Sequence, residues 1–192
     1  MSSHHIVREK QEPALLVLGV DHFPEEQLGQ LLEWSPTVIT TPHTAEKLDS
    51  FGIKVDWVIA NEYNGLLQSD IKLLPNGDDT LTTAALKYLI AHNYPAVNIV
   101  TDVLYWDEFV KYADKISLVI FQENQKIYTV NSGFSKWKPA GETISLLFSP
   151  TLLNYSGLQQ TGPMHYQTMR DGFFSLQFEQ PFLFIAEDLD NV

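Results

Sequence analysis

Over its first 115 residues the chain alternates short apolar runs with segments of helical periodicity. ALLVLGV (14–20) reads as a buried strand. PEEQLGQLLEW follows, with Pro24 at a helix start, Glu25 and Glu26 in the first turn, and Leu28, Leu31 and Leu32 on one face. TVITT (37–41) predicts the next strand, and TAEKLDSFG a helix stopped by Gly52. WVIAN (57–61) and IKLLP (71–75) predict two more strands. TLTTAALKYLIAHN has the strongest helical pattern, with Ala85, Leu86, Leu89 and Ile90 apolar and Asn93 as a C-terminal cap. AVNIVTD (96–102) predicts a strand, YWDEFVKYADK a short helix, and ISLVIF (116–121) a sixth strand. Strands that alternate with helices pair in parallel, because a parallel pair needs a crossover between its strands.

After residue 115 the helical period disappears. ISLVIF, KIYTV, TISLLFS, YSGLQQTG, FFSLQF and FLFIAE follow one another, separated by turn residues at 123–124, 132–133, 139–141 and 162–163. This predicts an antiparallel β-sandwich. The expected architecture is an N-terminal parallel-sheet α/β domain over residues 12–115, then a small C-terminal antiparallel β-sandwich over residues 116–190.

Composition narrows the function classes. The chain has 192 residues, 44% of them apolar, enough for a real core. Its net charge is −12, from 12 basic and 24 acidic residues, so nucleic acid and anionic membranes are not expected partners. With no cysteine there is no disulfide, thiolate metal site or cysteine nucleophile. The start, MSSHHIVREK, lacks an apolar stretch of signal-peptide length, and no apolar run is long enough for a bilayer. A soluble cytoplasmic protein is the expectation. His4 and His5 do not read as a tag or a metal site, and His43, His92 and His165 share no metal-ligand spacing.

The segment IANEYNG (59–65) carries candidate chemistry. Glu62 and Asn64 leave a predicted strand end, where α/β proteins hold their ligands. They offer oxygen ligands for a metal, or they form a polar loop. Asp78 and Asp79 precede the strongest helix; both are metal-ligand candidates, and Asp79 equally suits the helix N-cap. Asp107 is an acid candidate at the start of the next helical pattern, where the helix dipole alone would favour it. Trp137 offers a face on which a cation stacks, or is a core or interface residue. Ser175 has no base partner visible in the sequence and is not read as a nucleophile.

The same segments resemble the thiamine pyrophosphokinase family, and the resemblance covers nearly the whole chain. FGIKVDWVIANEYNG resembles the family segment that ends in G-D-F-D-S, and NGDDTLTTAAL resembles K-D-x-T-D-x-x-x-A-L. IVTDVLYWDEF sits where G-A-T-G-G-R-x-D-H is expected, GETISLLF resembles the G-x-x-I-S-L-x-P strand, YSGLQQ the later G-L strand, and FFSLQF lies where G-x-S-N is expected. The resemblance implies transfer of pyrophosphate from ATP to thiamine, giving thiamine diphosphate and AMP, with Mg2+ as cofactor. It also implies a homodimer, with nucleotide on the α/β domain and thiamine near the partner chain's sandwich. Carried over position by position, it makes Asp78 and Asp107 catalytic residues. Glu62, Asn64 and Asp78 become metal ligands, and Thr80, Trp137 and Ser175 ligand-binding residues.

The departures have chemical consequences. Glu62 and Asn64 stand where two aspartates are expected, Gly77 replaces the lysine, and Leu81 the second aspartate. Tyr105 replaces the arginine, Glu108 the histidine and Leu176 the asparagine. No arginine occurs between Arg8 and Arg170, and no glycine between Gly77 and Gly133. Phosphoryl transfer depends on positioned positive charge and on backbone N–H groups near the phosphates. The reaction is therefore expected to be weakened or lost. The alternative is a protein on the same fold that binds a small ligand, or acts as a dimeric interaction module, without catalysis.

Overall fold

A computed structural model describes residues 12–62 and 70–189, and divides the chain into two compact units, Met1–Leu118 and Val119–Val192. Asn64, with Tyr63 and Gly65 of the IANEYNG segment, lies outside the described residues.

In the first unit, β1 (Ala14–Val17), β2 (Val38–Thr40), β3 (Trp57–Ile59), β4 (Lys72–Leu74) and β5 (Ala96–Val100) form a parallel sheet in the order β5-β1-β2-β3-β4. Every residue of β1 is 0–1% exposed. That explains its unbroken apolar sequence, since a central parallel strand is covered on both faces. At about 1.5–3 kcal/mol for each large apolar side chain buried, this strand anchors the unit.

Three helices return the chain between these strands: α1 (Glu25–Leu32), α2 (Pro42–Ser50) and α3 (Leu81–Ala91). Pro24 takes the N-cap position of α1, a helix that buries Leu28. α2 begins two residues earlier than its TAEKL pattern suggests. Thr41 caps it, accepting from the Thr44 N–H at 3.3 Å, and Pro42 sits where a missing N–H costs nothing. α3 buries Thr82, Ala84, Ala85, Leu86 and Leu89. Its cap is Thr80, whose hydroxyl accepts from the Thr83 N–H at 3.2 Å. The capping expected of Asp79 therefore belongs to its neighbour; the Asp79 carboxylate is instead held by Lys87 Nζ at 2.7 and 2.8 Å. α4 (Trp106–Val110) follows β5 and is shorter than its YWDEFVKYADK pattern. No described helix is long and apolar enough to cross a membrane.

In the second unit, β6 (Ser117–Gln122), β7 (Gln125–Val130), β9 (Thr143–Leu146), β11 (Leu158–Gly162), β12 (His165–Thr168) and β14 (Leu183–Asp188) form a sheet in the order β11-β12-β9-β14-β7-β6. All of its pairings are antiparallel. β8 (Phe134–Lys138), β10 (Leu153–Ser156) and β13 (Gly172–Phe178) form a separate three-stranded antiparallel sheet, with β13 central. One apolar cluster takes Phe174, Leu176 and Phe178 from β13 and Ile144, Leu146, Ile185 and Leu158 from the larger sheet.

Two strands of this unit, β8 and β12, escape the apolar pattern, because FSKWK and HYQT are mostly polar and only five and four residues long. YSGLQQTG, expected as one strand, is two. The chain leaves the three-stranded sheet and enters the larger one at Gly157, whose φ is +72°. A Cβ there would stand 2.6 Å from the Phe173 carbonyl oxygen.

Candidate functional site

The order β5-β1-β2-β3-β4 contains a reversal. The chain steps outward from β1 to β4, then crosses back through α3 and places β5 on the other side of β1. The carboxyl ends of β1 and β5 diverge there, and open α/β sheets bind ligands in that crevice. A cavity of about 630 Å³ occupies this place. Its walls come from the loop after β1 (Leu18, Asp21), the start of α2 (Thr41), the start of α3 (Thr80) and the segment after β5 (Thr101, Asp102, Tyr105, Glu108).

Most of this lining is held by the backbone. Asp102 accepts the Asp21 N–H on Oδ2 and the His22 N–H on Oδ1, both at 3.1 Å, and so fixes the loop after β1. Gly19 lets this happen, for a Cβ there would lie 2.2 Å from Asp102 Oδ2. Thr44 donates to the Leu18 carbonyl at 3.1 Å and also accepts from Thr41 at 2.9 Å. Thr101 donates to the Val103 carbonyl at 2.8 Å and turns the chain away from β5. Asp21 is paired with Lys47.

Glu108 is different. Its Oε2 is buried and has no hydrogen-bond partner among the described residues. A buried carboxylate oxygen without a donor is unfavourable, so the cavity wall lacks a donor at this point. Asp21, Asp102 and Glu108 give the lining three acids, and among the described residues no lysine or arginine lines it.

Of the residues expected from the sequence, Thr80 lines the cavity and also caps α3. Asp78 is exposed in the loop before α3, and Glu62 is exposed at the end of β3. The two segments are tied by Asn61, whose side-chain oxygen accepts the Asn76 N–H at 3.1 Å and the Gly77 N–H at 2.9 Å. Asn61 thus replaces a glycine of the family pattern with an amide that fastens the Asp78 loop to the strand end. Among the described residues no three His, Asp or Glu side chains are grouped to hold a metal ion. Asp107 is exposed in the first turn of α4; its neighbour Glu108 is the acid that faces the cavity. Asp21, Thr41 and Thr101 had no motif to mark them, because each lies in a different loop and they converge only through the strand order.

In the second unit Trp137 and Ser175 share one face of the three-stranded sheet. Trp137 is opposite Phe173 in the ladder, and Ser175 is two residues further along β13. The two rings are 52% and 70% exposed, whereas Phe174, Leu176 and Phe178 on the other face are buried. Ser175 is hydrogen-bonded to Ser156 at 2.8 Å, Oγ to Oγ, so its hydroxyl is already engaged.

No protein-family model matches the chain, and no curated protein matches it in sequence. Solved structures do. Thiamine pyrophosphokinase from Bacillus subtilis superposes with a TM-score of 0.68 at 14% identity, over 93% of this chain and 100% of that one. Thiamin pyrophosphokinase from Candida albicans gives 0.66 at 11% identity, over 93% and 90%. The yeast thiamin pyrophosphokinase gives 0.59 at 9% identity, over 95% and 87%. The chain has a thiamine pyrophosphokinase-like fold.

Proposed function

We propose that this is a thiamine pyrophosphokinase-like protein in which transfer of pyrophosphate from ATP to thiamine is weakened or lost, and whose switch-point cavity takes a small cation. The observation that carries this reading is the cavity lining: three carboxylates, one with a buried oxygen lacking a donor, and no lysine or arginine among the described residues. A nucleotide triphosphate needs cations and close backbone N–H groups around its phosphates. Magnesium can supply part of that charge, but it wants several free oxygen ligands. Here both Asp102 oxygens accept backbone N–H groups and Asp21 is paired with Lys47. The residues present do not fit a magnesium–nucleotide complex, and no step is drawn through one. A cation with N–H donors fits better, since it would satisfy Glu108 and balance the acids.

The larger and smaller sheets of the second unit, joined by one apolar cluster, are read as the family's sandwich. Its exposed Trp137 and Phe173 suit an aromatic ligand face or a contact between two copies of the chain.

Calorimetric titration with thiamine and with ATP, each with and without magnesium, tests the proposal, together with an assay for AMP release. The expected result is heat from thiamine, none from ATP, and no AMP. Glu108→Gln should then weaken thiamine binding by about tenfold or more, the cost of one hydrogen bond to a charged group. Magnesium-dependent ATP binding with AMP release would overturn the loss of transfer. Thiamine binding unchanged by Glu108→Gln would remove the cavity from the proposal.

A further inference from the structure

The second unit holds a charged cluster that the switch-point cavity does not involve. Lys126 on β7 stands directly opposite Glu187 of β14 in the antiparallel ladder. Opposite charges in that register normally pair. Glu187, only 4% exposed, is engaged elsewhere: Lys136 Nζ donates to it at 2.7 and 2.8 Å, Lys138 Nζ lies 3.2 Å away, and the Tyr128 hydroxyl also donates to it. Lys138 also contacts Glu142 at 3.4 Å. Among the described residues no carboxylate is within ion-pair reach of Lys126. Its Nζ lies 5.9 Å from the ring centre of Phe121 and 6.0 Å from that of Tyr128.

β6 presents Phe121, opposite Lys126 in the ladder and uncharged. β7 itself adds Tyr128, β14 adds Glu187, β8 adds Lys136 and Lys138, and the turn after β8 adds Glu142. Three lysines thus face two carboxylates, and the cluster is neutral only when one lysine gives up its proton. Burial, and then the charge of Lys136, pushes Lys126 below the ordinary lysine value; Lys138 adds to this and Glu187 offsets part of it. Partial burial and neighbouring cations both favour the neutral amine, and the neutral amine is the nucleophilic form.

We propose that Lys126 is a nucleophilic amine that condenses with small uncharged aldehydes, a site created by the diversion of Glu187 to Lys136, Lys138 and Tyr128. The Lys126 Nζ lone pair attacks the carbonyl carbon, and the C=O π pair moves to oxygen. The two amine protons end on that oxygen, water leaves, and a C=N bond remains. No redox partner is required. An uncharged aldehyde is specified because the imine it leaves is neutral when unprotonated, which preserves the charge balance of the cluster.

The test is reductive methylation of the full chain with formaldehyde and cyanoborohydride, from neutral to alkaline pH, with labelling at each lysine read by peptide mass spectrometry. Near neutrality Lys126 should be labelled several-fold faster than the exposed Lys54 and Lys115, and its rate should level off at a lower pH than theirs. Lys138→Gln removes one neighbouring cation and should shift the Lys126 profile to higher pH, whereas Lys138→Arg should restore it. Labelling of Lys126 no faster than the exposed lysines at every pH would overturn the proposal. So would a profile indifferent to Lys138→Gln in a folded variant. Should that variant fail to fold, the wild-type profile decides alone.

Discussion

Replacing Glu187 with glutamine removes one charge from the least exposed acid of the second unit and keeps its shape. Two lysines then lose their main counter-charge. Lys138, with a side chain 12% exposed, keeps the longer contact to Glu142; Lys136, 34% exposed, can turn toward water. Breaking a buried pair by removing one partner costs about 3–5 kcal/mol when the other charge stays buried. The amide oxygen still accepts from Tyr128, and Lys136 can rehydrate, so the expected loss is about 2–3 kcal/mol.

The pH dependence follows from the Glu187 carboxyl. Burial raises its pKa, but hydrogen bonds from Lys136 and Tyr128, with the charges of Lys136 and Lys138, outweigh burial and hold it below the ordinary 4.5. A carboxyl with a depressed folded-state pKa stabilises the fold fully above its unfolded value. That stability is lost as pH falls through the folded value. Native-state amide exchange in β7, β13 and β14 should therefore show wild type above Glu187→Gln at neutral pH. The two should approach each other as pH drops below 4.5. A neutral-pH difference under about 1 kcal/mol, the size of an exposed pair, would refute the reasoning, as would a gap that persists unchanged in acid.

Four other outcomes are expected. Lys126→Met should stabilise the second unit at neutral pH, because a lysine with a lowered pKa binds its proton less well folded than unfolded. The gain should vanish as pH rises toward 10.5, and urea midpoints across pH check it. Gly157→Ala should cost more than about 1–2 kcal/mol, since it adds a left-handed alanine to a Cβ contact of 2.6 Å with the Phe173 carbonyl; thermal unfolding reads this. Thr80→Ala should lower stability by about 1 kcal/mol through loss of the α3 cap, seen as faster amide exchange in the first turn of that helix. Gly19→Ala should expel the Asp102 carboxylate from the N–H groups of Asp21 and His22, and an NMR spectrum should show both amides shifted.

The α/β half was legible because buried parallel strands advertise themselves: ALLV is an unbroken apolar run, VIT and AVNIV each carry a single polar residue, and Leu28 and Leu86 keep helical spacing. β8 and β12 were not, since a strand with one solvated face and few residues shows no more than a weak alternation. Gly157 hid a change of sheet inside what looked like one strand, since a glycine's φ leaves no mark in the sequence around it. At the site, Thr80 could be marked because it sits in a motif. Glu108 stood beside the expected Asp107, and which of two adjacent acids on a short helix turns inward depends on how α4 packs. Asp21 and Asp102 meet only because the strand order puts β1 beside β5, and long-range order of that kind leaves no trace in local spacing.

The same division explains why structures match where sequence comparison does not. The sheet needs apolar residues of adequate volume at alternating or continuous positions, and many sequences meet that condition; 9–14% identity over more than nine-tenths of the chain is enough. The chemistry lies in the loops after β1, β3 and β5, which can exchange charge without disturbing a strand. Set against the family pattern that the sequence resembles, the charge differences run in one direction and include the loop after β4. A lysine position holds Gly77 and an arginine position Tyr105, while a glycine position holds Asn61, whose amide now fastens the loop after β4. Both Asp102 oxygens accept N–H groups of the loop after β1. Three acids and, among the described residues, no lysine or arginine line the cavity, which is the charge pattern on which the proposed cation site rests.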